Sequence, residues 1–154
     1  MSSPTPPPIE VNKQHDSVDL SVEDAAAIAR LVLDGEGRPE LSASIALIDD
    51  ATMADLNERY LGHEGPTDVI AFPLYDPENP DPEPLLGEVI VSLDTALRQA
   101  PEHALTARAE ALLYIVHGLL HLLGYDDHAE GERARMEARQ QHWLQRFVKP
   151  SDLA

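Results

Sequence analysis

His117-Gly118-Leu119-Leu120-His121-Leu122-Leu123-Gly124-Tyr125-Asp126-Asp127-His128 is an apolar helical stretch that carries two imidazoles and runs into a polar cluster. Residues at i and i+4 share one face of an α-helix, a turn apart, so both rings can point at one ion. Zinc takes such imidazoles at about 2.0–2.1 Å in a roughly tetrahedral set. Gly124 permits a positive-φ helix ending that turns the chain back on its last turn. That return brings either Asp127 or His128 within reach as a third donor. Upstream, Ala111-Leu112-Leu113-Tyr114-Ile115-Val116 is apolar all round, which predicts a buried helix. Buried imidazoles need polar partners, and a metal ion would supply one.

The spacing H-x-x-x-H-x-x-G-x-x-D is similar to the metzincin pattern, with Asp127 where the last His usually stands. In H-E-x-x-H peptidases the general base follows the first His directly. Here that position is Gly118, which cannot move a proton, so peptidase chemistry is not supported.

His117 to Asp127 closely resembles the signature H-G-x-L-H-L-x-G-Y-D-H of the YbeY family of bacterial rRNA maturation factors, described as metal-dependent endoribonucleases. The departure is the last position, His in the family and Asp127 here. Two more blocks extend the resemblance in the same order. Leu56-Asn57 through Tyr60-Leu61 to Pro66-Thr67-Asp68-Val69-Ile70-Ala71-Phe72 is similar to L-N-x-x-Y-R-x-x-D-x-P-T-D-V-L-S-F. Leu86-Gly87-Glu88-Val89-Ile90-Val91-Ser92 is similar to the strand L-G-D-I-x-I-S. The resemblance spans roughly residues 48–136 and has two further departures: the family's Arg falls on Leu61, and the strand acid is Glu88.

The resemblance implies a single-strand-specific, metal-dependent endoribonuclease acting in rRNA maturation, at the 16S rRNA 3′ end, and in ribosome quality control. Partners would be rRNA, the small ribosomal subunit and ribosome-associated proteins, with no DNA and no membrane. His117, His121 and Asp127 would hold one divalent ion, with His128 as the fallback third ligand. Two imidazoles and a carboxylate suit Zn2+, while nickel and iron remain open. Three protein ligands would leave a position for water, whose pKa such an ion lowers to about 7. No residue declares itself as general base. Asp126 is a candidate acceptor for the outer N–H of a ligand imidazole, or simply a turn residue. Arg59 is a candidate phosphate contact, or a surface helix residue. Thr67 and Asp68 open a strand and are candidates to line the cleft. Two other classes compete: a metal-stabilised ribosome-assembly or RNA-binding factor with little catalysis, and a non-haem iron oxygenase, since two His and a carboxylate also form a facial triad.

The formal charge is −17, with 11 Lys and Arg against 28 Asp and Glu. That balance runs against a generally phosphate-binding surface. Arg133, Arg135, Arg139, Arg146 and Lys149 gather in the last helical segment, where Arg133 and Arg139 are candidate RNA contacts. The reading against this is a salt-bridged helix face. There is no cysteine, hence no disulfide and no thiolate ligand. No stretch spans a membrane and no signal peptide is visible, so a cytoplasmic protein is expected.

Residues 1–8 read as a disordered Pro-rich tail and residues 9–150 as a single domain. Strands are expected at Ile9–Gln14, Leu41–Ile48, Thr67–Phe72 and Gly87–Ser92. Helices are expected after Ser21, after Asp49 or Asp50 through Tyr60, after Ser92 to Ala100, over Leu105–Leu123 and over Ala129–Val148. Tyr75–Pro84 reads as a loop. The order βαβαββααα gives an α+β fold, one mixed sheet of about four strands packed with about five helices, including a zincin-like metal-bearing helix.

Overall fold

The computed structural model describes residues 7–76, 78 and 84–153. Most of the expected N-terminal tail, residues 1–6, and part of the expected loop, residues 77 and 79–83, lie outside them.

Four strands form one mixed sheet: β1 (Glu10–Lys13), β2 (Ser42–Ile48), β3 (Val69–Pro73) and β4 (Leu85–Ser92), in the order β1-β2-β4-β3. The pairs β1–β2 and β2–β4 are parallel, and β3 runs antiparallel to β4 at the edge. Alternation sets the faces. Ala43, Ile45 and Leu47 of β2 are fully buried, while Ser42 and Ser44 are half-exposed on the other side.

Local chemistry starts each helix. In α1 (Val22–Gly35) the Ser21 hydroxyl accepts the Asp24 N–H at 3.1 Å; in α2 (Asp50–Leu56) the Asp49 carboxylate accepts the Thr52 N–H at 2.8 Å. Ser92 and Thr106 do the same for α3 (Leu93–Gln99) and α4 (Ala107–Leu122). The last helix is α5 (Glu130–Phe147). These elements match the expected order and the mixed α+β class.

The main core lies on one face of the sheet. There α1, α4 and α5 bury Ile28, Val32, Leu112, Ile115, Leu119 and Leu144 against Ile45, Leu47, Val89 and Val91. Truncating any one of these large side chains to Ala would cost about 2–5 kcal/mol. The opposite face carries only a small cluster of Ile48, Met53, Ile70 and Ile90 under α2.

Two details depart from expectation. The short helix does not run evenly to Tyr60, because it widens into a π turn over Asn57–Leu61. Tyr60, which an even 3.6-residue period would set on the face of Met53 and Leu56, is consequently 65 % exposed, and it meets Phe72 edge-on instead. A C-terminal 3-10 turn, Pro150–Asp152, was not foreseen. Its buried Asp152 accepts from Arg108 at 2.6 Å and from Thr106 at 3.1 Å, which pins the first turn of α4.

Candidate metal centre and its cleft

Helix α4 reaches the sheet because Gly118 lets it. A Cβ built there would stand 2.7 Å from Val89 and 3.3 Å from Val69. The residue at the peptidase base position is thus a point of close approach between helix and sheet, and the histidines on either side of it share a cleft with the edge strand.

The helix ends as its sequence dictates. Gly124 takes φ +104°, the Tyr125 N–H donates to the Leu120 carbonyl at 3.0 Å, and the Gly124 N–H donates to the His121 carbonyl at 3.1 Å. This Schellman closure turns the chain back over the last turn of α4.

The result is a cleft of about 410 Å³ between β3 and α4, lined by His117, Gly118, His121, Asp127, Leu61 and the whole run Asp68–Pro73. His117, His121 and Asp127 therefore open onto one space. Full burial was expected of the imidazoles. Instead His117 is half-buried and His121 exposed, because the cleft side of α4 is the side the core does not cover. His128 does not line the cleft, and its side chain is 83 % exposed.

The ligand atoms of the two histidines and Asp127 do not form a group of three within 4.8 Å of one another. Among the described residues the group at that spacing is Asp126, Asp127 and His128. It shows carboxylates and an imidazole converging in the turn after α4, one of them on the cleft wall.

The Nδ1 of His117 is hydrogen-bonded to the Oε1 of Gln140 on α5. A carboxamide oxygen only accepts, so Nδ1 carries the proton and Nε2 keeps its lone pair. Sequence reading missed Gln140; nothing in its own stretch marks it, since it meets His117 only through the packing of α4 on α5. The turn has its own brace. At the end of α1, with its side chain largely covered, Glu36 accepts from the Tyr125 hydroxyl at 2.6 Å, from the Trp143 indole N–H at 2.9 Å and from Arg139. Burial pushes the Glu36 carboxyl up, but these donors outweigh it and hold it below its ordinary value. Burial first, and the Glu36 carboxylate second, push the Tyr125 phenol above its usual value.

The other candidates sort by place. Asp68 lines the cleft, and its Oδ1 accepts from the Thr67 hydroxyl at 3.4 Å and from the Val69 N–H at 2.7 Å. Asp126 accepts the His128 N–H at 2.9 Å, a contact that lowers its pKa, and it sits outside the cleft. Of its two expected roles, the contact seen is the one within the turn, while the acceptor beside His117 is Gln140. Arg59 is paired with Asp55 at 3.0 Å on the exposed side of its turn, away from the cleft. Arg139 is paired with Glu36 and lies over the Trp143 ring. Arg133 reaches the Asp127 carbonyl at 3.3 Å. Leu61, where the family pattern has Arg, stands on the cleft wall.

A family model described as Endoribonuclease YbeY matches residues 10–148. The chain belongs to the YbeY endoribonuclease family. Curated relatives carrying the name Endoribonuclease YbeY agree with this. That of Mycolicibacterium vanbaalenii is 36 % identical over 148 residues, covering 91 % of this chain and 80 % of the relative. That of Syntrophotalea carbinolica is 36 % identical over 135 residues, covering 86 % and 90 %. That of Moorella thermoacetica is 44 % identical over 109 residues, covering 66 % and 70 %. A solution structure of a Thermotoga maritima protein shares the fold, with a TM-score of 0.65 at 24 % identity over 89 % of this chain and 87 % of that one. Membership in YbeY makes the chain a hydrolase of the endoribonuclease class. No helix of the described residues is long and apolar enough to cross a membrane.

Proposed function

We propose that this YbeY member is a single-strand-specific, metal-dependent endoribonuclease of rRNA maturation, with His117, His121 and Asp127 as its metal ligands. Substrate and site follow from the family resemblance, with the 16S rRNA 3′ end and the small ribosomal subunit as the context it implies. One observation carries the reading: two imidazoles a turn apart and a carboxylate open onto the same cleft, and Gln140 leaves the Nε2 of His117 as the donor.

The donor set fits a divalent ion, with zinc preferred. When bound, such an ion would activate a water and stabilise charge on a phosphoryl oxygen. The chain's own residues do the rest. His117 and His121 are held in register by one rigid helix. Gln140 fixes the tautomer of the first imidazole. Glu36, through Tyr125, holds the turn that presents Asp127. Asp68 is the remaining carboxylate on the cleft wall and is placed to orient a water or a ribose hydroxyl.

A second reading is favoured by one specific feature. Among the described residues lining the cleft there is no Lys or Arg. A metal-stabilised RNA-binding or assembly factor with little turnover would have such a cleft. One assay separates the two. Metal-loaded protein is incubated with single-stranded rRNA fragments, then chelated, and His117→Ala is run beside it. The nuclease reading expects cleavage that chelation and His117→Ala abolish. Binding without cleavage under any divalent metal would favour the second reading. Cleavage surviving His117→Ala would assign the activity to a contaminant. The iron oxygenase reading has no support from the family.

A further inference from the structure

The free edge of β3 forms one wall of the cleft, and its backbone donors are almost entirely blunted. In an antiparallel pair, residues face the partner strand alternately. The Ser92 N–H donates to the Asp68 carbonyl and the Leu74 N–H to the Leu86 carbonyl, each at 3.0 Å. With the register Ile70↔Ile90 and Phe72↔Glu88, those two residues bond to β4. Val69, Ala71 and Pro73 therefore turn their backbone groups to the open side. Proline has no N–H, and the Val69 N–H is already held by the Asp68 carboxylate at 2.7 Å. The donor left on this edge, among the described residues, is the Ala71 N–H, with the carbonyl of the same residue beside it; the Val69 and Pro73 carbonyls also face outward but have no free donor next to them.

The geometry points to Ala71 as a docking point for one unpaired nucleobase of the RNA substrate. An added peptide strand needs ladder bonds at every second residue, and here the donors on both sides of Ala71 are unavailable. A single flat base needs only one donor–acceptor pair. Adenine, cytosine, guanine and uracil each present an acceptor beside a donor on the Watson–Crick edge, so this contact accepts any of them. A base already paired has that edge occupied. The device therefore selects single strands without reading sequence, which is the usual mode of RNA loop recognition. Leu61 and Phe72 supply apolar wall beside it, and the adjoining phosphate would fall toward His117, His121 and Asp127 on the same cleft. With no cation on the cleft wall, base docking takes up orientation work that phosphate contacts would otherwise do.

This inference rests on the ribonuclease reading and is tested by Ala71→Pro. Proline removes only the donor, and it is tolerated on an edge strand whose N–H faces outward. The metal-loaded variant should cleave a mixed-sequence single-stranded octamer with kcat/KM lowered roughly three- to tenfold, carried by KM, from loss of one hydrogen bond. Melting temperature and metal content should be unchanged. In a second measurement on the unaltered chain, the Ala71 amide resonance should move on titration with the octamer and stay still with its duplex. Unchanged kinetics in Ala71→Pro, or a still Ala71 amide while other cleft resonances move, overturns base docking. So would an extended peptide that displaces the RNA and shifts the same amide. If the wild-type protein neither binds nor cuts any RNA, the ribonuclease reading fails first, and this inference with it.

Discussion

The carboxamide oxygen of Gln140 accepts the Nδ1–H of His117, so α5 reaches across to fix the ring that begins the metal motif on α4. An outer partner of this kind sets the tautomer and basicity of a ligand imidazole, and losing it typically costs 10- to 100-fold in metal affinity. Gln140→Leu should weaken zinc binding by that order in a chelator competition. Gln140→Glu should hold it or strengthen it, because a carboxylate is the stronger acceptor. Nitrogen chemical shifts of the metal-free protein give an independent check: His117 should be one tautomer in the wild type and a mixture in Gln140→Leu. Equal affinity in all three proteins would show that the contact does not tune the site.

Asp127 and His128 are adjacent in sequence and their ligand atoms lie within 4.8 Å of one another, but only Asp127 lines the cleft. The first lines the cleft with the two imidazoles, and the second is exposed outside it. Asp127→Ala should therefore cut metal content of the purified, tag-free protein, while His128→Ala leaves it near one ion per chain. Asp127→His, which restores the family residue, should retain the ion. If His128→Ala loses the ion and Asp127→Ala keeps it, the two residues exchange roles.

How much of this was legible in the sequence follows from how far apart the interacting groups are. The glycine ending and the caps Ser21 and Ser92 act within one or two turns, and the structure has them as read; of Asp49 and Asp50 it is Asp49 that caps, and Thr106 caps a helix that was read as starting at Leu105. The strand edges were also legible, but not their order, because β2 pairs with β4 across a long connection. Tyr60 was misplaced because a π turn rotates the face that a 3.6-residue period would predict. Arg139 left two readings open, an RNA contact or a salt-bridged face, because its partner, Glu36, lies at the far end of α1 and meets it only in the folded chain. Gln140 was invisible for the same reason.

Glu36 has a largely covered side chain, carries three donors and has its pKa depressed in the fold. An unfolded Glu titrates near about 4.3. The stabilisation from Glu36 is therefore complete above that value and fades as the pH falls through the lower folded one. Glu36→Gln should lower the melting temperature at pH 7, with the gap to wild type narrowing below about pH 4. A gap that is constant across this range would mean that the network acts through shape alone. Because Tyr125 connects Glu36 to the turn bearing Asp127, the same variant should also weaken metal binding at neutral pH.

Leu61 stands on the cleft wall where the family pattern has Arg, and no other lining residue described is cationic. Its side chain is 47 % exposed, so a longer group has room to extend without disturbing the core. Leu61→Arg would place one guanidinium beside the path of the strand. Each phosphate neutralised releases about one counterion, so the slope of log affinity against log salt should steepen by about 0.7 for a single strand. RNA binding measured between about 50 and 200 mM salt should show that change, with the gain largest at low salt and melting temperature within about 0.5 kcal/mol equivalent of wild type. If cleavage rises in step with binding, the missing cation limits substrate capture. If binding tightens while cleavage stays flat, chemistry at the metal ligands sets the rate, and the leucine has removed affinity without touching the reacting atoms. An unchanged salt slope would mean that no phosphate passes that wall, and the strand would have to enter from the Pro73 end.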